Sequence, residues 1–191
     1  TALTVKLDQT HHYLGKDNAL LKTIPLVLVS IFMIVVMLSY KLPFIVNQLI
    51  FVSFSVLTGL ILSQFTYYIN DPDIVHSALL ATIINSVALL MLGLIIVYFK
   101  YDLEWMGSLL FSAILLLITY QTIVSSSKKS TELNKKISTV AVVLFSLYIL
   151  YDTNNILLKY KNNNKVDCIR GSFYYYLDVI NLFTSYLDIK S

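Results

Sequence analysis

Two carboxylic acids set inside apolar runs are the residues of this chain best placed to do chemistry. Asp152 lies late in the run Thr139–Leu158, and Asp178 lies in the middle of Ser172–Phe183. Of the eleven acidic residues, only these two sit within hydrophobic spans; the others occupy terminal segments, loops or the outer turns of spans. An ionisable side chain at bilayer depth is costly, so it marks by default an ion path, a proton relay or a counter-ion. Asn155 follows Asp152 by one helical turn, and Asn181 and Ser185 follow Asp178 by one and two turns. Each acid therefore heads a polar stripe on one helix face.

Two close carboxyl groups at low dielectric cannot both ionise cheaply, so they share a proton and titrate as a coupled pair. Releasing that proton adds repulsion of roughly a few kcal/mol at an effective dielectric near 20, enough to bias a two-state helix packing. Acid and amide oxygens together also suit a hard cation such as Ca²⁺. Asp152 and Asp178 are thus the candidate metal-contacting and pH-sensing residues, with Asn155 and Asn181 beside them. Two structural readings compete: Asp152 snorkels to an interface, or Asp178 hydrogen-bonds a tyrosine as a packing device. Adjacent His11 and His12 point apart on any helix, His76 opens a span at the interface, and the single Cys168 offers no metal spacing. No permanently bound cofactor is expected.

The elements that must position the pair follow from the order of the apolar runs. The chain is 57% apolar and 13% charged, with a mean hydropathy of +0.74; soluble domains carry about 25% charged residues. Six runs, near 24–40, 44–65, 74–99, 103–124, 137–158 and 172–187, each approach the ~20 residues a helix needs to cross a bilayer. The expectation is an all-α polytopic membrane protein, a bundle of six visible spans at 24–187. Residues 1–23 form a polar N-terminal segment, unlike a signal peptide, and 188–191 a short tail. Pro25 stands in the tolerated first turn of the first span, and Asn70-Asp71-Pro72-Asp73 makes the turn before the third. The last run carries Tyr174, Tyr175, Tyr176, Asp178, Asn181, Thr184 and Ser185, too many polar groups to face lipid. It belongs at the centre, where neighbours satisfy it; the alternative is a helix lying flat with its tyrosines at headgroup level. Lysines and arginines are nearly balanced between the two ends of the bundle, so the positive-inside rule gives no orientation. A net charge of +3 calls for no nucleic-acid partner.

Phe145-Ser146-Leu147-Tyr148-Ile149-Leu150-Tyr151-Asp152-Thr153 and Tyr176-Leu177-Asp178-Val179-Ile180-Asn181-Leu182-Phe183 resemble the last two helices of the transmembrane Bax inhibitor motif family. Its members include Golgi anti-apoptotic proteins, their viral relatives and bacterial pH-sensitive calcium leak proteins. Thr58-Gly59-Leu60-Ile61-Leu62-Ser63 is similar to a Gly-x-x-Leu-Ser stretch in an earlier family helix, and Asp102-Leu103 fits the pattern. The likeness covers residues 24–187. It implies six helices around a central polar seventh; this chain shows six, so the first is absent or cut off upstream of Thr1. It implies that Asp152 and Asp178 form a pH-sensing pair beside a Ca²⁺ path. Lys41 stands where bacterial members place an arginine latch, but lysine cannot make the bidentate fork. The resemblance further implies a Golgi or endoplasmic reticulum membrane, a role in calcium stores and suppression of apoptosis. The implied partners are the bilayer, permeating Ca²⁺ and other membrane proteins of the cell-death pathway.

The alternative is a non-conducting protein that inhibits cell death by binding partners. An enzyme is not expected. Intramembrane aspartyl proteases also use two aspartates, but here Asp178 follows Tyr-Tyr-Tyr-Leu rather than Gly-x-Gly, and no Pro-Ala-Leu occurs.

Overall fold

The computed structural model describes residues 19–40, 42–69, 71–126, 131–161 and 168–191. His11, His12 and Lys41 lie outside the described residues. Among the described residues six helices follow in order: α1 (Ala19–Ser39), α2 (Phe44–Ile69), α3 (Pro72–Tyr98), α4 (Met106–Ser126), α5 (Thr131–Lys161) and α6 (Cys168–Lys190). No strand occurs among the described residues. Four helices, α2 to α5, are long and apolar enough to cross a membrane. The apolar part of α1, Ile24–Ser39, is shorter, and polar side chains interrupt α6. The chain is an all-α, multi-pass membrane protein, as its composition predicts.

Several helices outrun their apolar runs, because polarity marks where a helix meets headgroups and not where its backbone stops. α5 extends beyond 137–158 at both ends. α1 begins at Ala19, which puts Pro25 inside the helix and not in its first turn. There the ring removes one backbone hydrogen bond and crowds the carbonyl four residues earlier.

By internal packing the chain divides into Thr1–Asp71 and Pro72–Ser191. In the first unit α1 packs on α2. Gly59, Leu62, Ser63 and Thr66 are buried in α2, at the spacing of one helix face. The Gly-x-x-Leu-Ser stretch is therefore that helix's buried stripe.

In the second unit α5 packs against α3, α4 and α6, and α6 also packs against α3. Its core joins Ala141, Phe145 and Ile149 of α5 to Leu182 of α6, with Leu89, Ile114 and Leu117 of the other helices packed around them. α3 is built inside out: Ala78, Thr82, Ser86 and Gly93 are buried, whereas Leu80, Ile84, Val87, Met91 and Ile95 are exposed. Small residues let backbones approach while large ones face lipid, the pattern of a membrane bundle. Gly93 is required for this: a Cβ there would lie 2.6 Å from Thr153 Cγ2. The polar α6 buries Phe173, Asp178, Leu182 and Ser185. It belongs to the bundle and does not lie flat beside it.

Candidate functional site

α5 and α6 form an antiparallel hairpin whose rungs can be read along its length. Gly171 admits Ile156, since a Cβ would come within 3.1 Å of Ile156 Cδ1. Thr153 Oγ1 lies 3.5 Å from the Tyr175 hydroxyl, and Ser138 Oγ donates to Asp188 Oδ2 at 3.4 Å near the far end. Between these rungs the carboxyl groups of Asp152 and Asp178 come within hydrogen-bonding reach of each other. An ionised carboxylate can only accept, so a hydrogen bond between them requires that one of the two be protonated. Asp178 is 6% exposed, and its Oδ2 is buried with no hydrogen-bond partner among the described residues. Asp152 is half-buried, and Lys159 is near enough for its charge to act on it.

Both acids line a cavity of about 660 Å³, together with Asn155 and Asn181. The structure thus brings together four of the five side chains singled out in the sequence. The fifth, Lys41, lies outside the described residues. No group of three His, Cys, Asp or Glu that could hold a metal occurs among the described residues. The oxygen donors along this cavity include two carboxyl groups and two amides, ligand types that hard cations accept.

Spacing alone missed other lining residues. Tyr148, Tyr151 and Tyr174 contribute aromatic walls, and Lys159 and Arg170 bring positive charge at the end nearest the α5–α6 connection. Lys159 lies two turns beyond Asp152 and could have been found from the helical repeat.

The four polar residues Asp152-Thr153-Asn154-Asn155 point successively around α5, so they reach different neighbours. Asp152 and Asn155 face the cavity, and Thr153 meets Gly93 of α3. Asn154, 1% exposed, clamps the α3–α4 connection: its Nδ2 donates to Tyr101 O at 3.0 Å, and its Oδ1 accepts from Leu103 N at 3.1 Å. That connection leaves α3 through a Schellman turn with Lys100 at φ 62°, closed by Tyr101 N to Ile96 O and Lys100 N to Val97 O. Asp102 Oδ1 accepts from Glu104 N at 2.8 Å, so the Asp102-Leu103 pair serves to shape the entry into α4.

This arrangement defines a multi-pass helical membrane protein with two neighbouring acids between its last two helices. The family profile described as "Inhibitor of apoptosis-promoting Bax1" matches residues 2–190, and the chain belongs to that family, the Bax inhibitor family. It is 41% identical over 90 residues to an uncharacterized protein of Campylobacter jejuni, covering 47% of this chain and 37% of that protein. It is 34% identical over 92 residues to LIFEGUARD 1 of Arabidopsis thaliana, covering 48% and 37%. To LIFEGUARD 4 of the same plant it is 26% identical over 149 residues, covering 75% and 57%. The chain spans between 37% and 57% of the length of these relatives.

Proposed function

We propose that this chain forms the pH-responsive part of a cation leak, with Ca²⁺ as the permeating ion, in a Golgi or endoplasmic reticulum membrane. By lowering stored Ca²⁺ it would suppress apoptosis. The observation that carries this reading is the neighbouring Asp152–Asp178 pair beside a cavity within the helical bundle. A buried pair that holds one proton joins α5 to α6. Loss of that proton leaves two like charges in contact and drives the helices apart. Asn155 and Asn181 supply neutral oxygens beside the acids, so a cation can be held weakly enough to move on. The family's description as an inhibitor of apoptosis-promoting Bax1 supports the link to cell death.

The test is Ca²⁺ flux into dye-loaded liposomes carrying the full chain, compared with Asp178→Asn. Flux that depends on pH in the wild type and is flat in the variant supports the reading; a wild type that passes no Ca²⁺ ends it. A second reading, a non-conducting protein that protects cells by binding partners, draws on the lack of a third acidic or histidine ligand near the pair among the described residues. Cells protected equally well by wild type and by a non-conducting Asp178→Asn protein would favour that reading.

A further inference from the structure

The cavity that holds the acid pair has a neighbour. A second cavity of about 290 Å³ lies between α4, α5 and α6, lined by polar groups that the pair does not use: Gln121, Ser138, Thr184, Ser185 and Asp188. Ile114, Phe145 and Asn181 line both cavities. The two spaces are therefore neighbours, separated by an aliphatic side chain, an aromatic ring and a single amide. Phe145 is 7% exposed and belongs to the core. A neck narrowed by Phe145 and Ile114 between two spaces that each hold an acid and an amide has the form of a gate that closes by excluding water.

The lengths fit a crossing. The larger cavity reaches Lys159 and Arg170, at the end of α5 and the start of α6, and the smaller reaches Asp188 near the end of α6. From Arg170 to Asp188 an α-helix rises about 27 Å, close to the ~30 Å of a hydrocarbon core. Polar groups thus follow one side of α6 over that distance, and at the neck Phe145 of α5 and Ile114 of α4 crowd the space beside Asn181. Asp188 is the charged residue of the smaller chamber, where a carboxylate raises the local concentration of cations. Ser138 donates to it and holds it at the chamber.

We propose that the two cavities are halves of one cation path, closed in this state at Phe145, Ile114 and Asn181, with Asp188 as the acidic entrance at the end opposite Lys159 and Arg170. The proposal rests on the conducting role assigned to the Asp152–Asp178 pair, and adds to it a gate and a second cation-attracting site.

The experiment measures Ca²⁺ entry into dye-loaded liposomes carrying the full chain as wild type, Asp188→Asn or Phe145→Leu, across pH 6 to 8. Asp188→Asn is expected to lower the rate about tenfold without moving the pH at which flux changes. Phe145→Leu is expected to raise flux about tenfold at the pH where the wild type is closed. As a readout independent of conduction, Thr184→Cys in a Cys168→Ser background should react with a charged thiol reagent added on the side that Asp188 faces. A pH-responsive wild type whose flux neither variant changes overturns the path and leaves the acid pair standing. A Thr184→Cys protein that is folded but silent to the reagent overturns the vestibule. A wild type that passes no Ca²⁺ removes the conducting role and the path together.

Discussion

The replacement of Asp178 by asparagine separates the charge of the pair from its shape. In the wild type the Asp152–Asp178 contact holds only while a proton is present to be shared. Once it leaves, two unit charges about 4 Å apart at an effective dielectric near 20 repel by about 4 kcal/mol. Asp152 is half-buried, and the solvent that reaches it screens part of this, leaving on the order of 3 kcal/mol. At about 1.4 kcal/mol per factor of ten, the equilibrium between closed and separated helices shifts by roughly a hundredfold. The sign follows: the contact's contribution is present at pH below proton release and is lost above it, so flux rises with pH. The asparagine side chain would carry no charge to release, and its amide could still donate to Asp152 at every pH. Flux through Asp178→Asn should therefore stay at the low-pH level of the wild type at every pH tested. Ca²⁺ entry into dye-loaded liposomes, read after pH steps on both proteins, checks this. Identical pH responses from the two proteins would refute the reasoning. Flux that fell with pH in the wild type alone would keep the pair as the sensor and assign conduction to the proton-bound packing.

Three further substitutions probe what positions the pair. Asn154→Ala strips partners from Tyr101 O and Leu103 N and should cost about 1–3 kcal/mol, read as a lower unfolding midpoint in detergent. Gly93→Val would drive a branched side chain into Thr153, whose Cβ is only 2.9 Å from an ideal Cβ at that position. A loss of about 1–3 kcal/mol in the same assay is expected, and an unchanged midpoint would show that α3 and α5 do not pack as closely as described. Asp102→Ala removes the acceptor for Glu104 N at a cost of about 1 kcal/mol, with Ca²⁺ flux and its pH dependence unchanged.

The bundle and its acid pair were legible in the sequence because cost makes them conspicuous. A carboxylic acid inside an apolar run has few reasons to be there, and the turn-by-turn spacing of Asn155 and Asn181 already placed them with Asp152 and Asp178. What spacing could not show is how the faces of α5 are divided. Asp152, Thr153, Asn154 and Asn155 look alike on paper as a run of polar residues, yet the first and last meet the cavity, Thr153 meets α3, and Asn154 holds a distant loop. Only the packing of three other elements around the helix assigns those roles. The helix ends escaped for a related reason, since the backbone of α5 continues past the apolar run until Lys161. The same division bears on mechanism. Because consecutive residues of α5 are tied to α6, to α3 and to the α3–α4 connection, α5 cannot move away from Asp178 without also straining the Asn154 clamp and the close contact at Gly93. Release of one proton is thereby opposed by contacts on two other sides. A small displacement of α5 strains those contacts while relieving little of the repulsion, so partly separated packings are disfavoured. The helix pair should therefore exchange between two discrete packings, with pH setting their ratio, and not loosen by degrees.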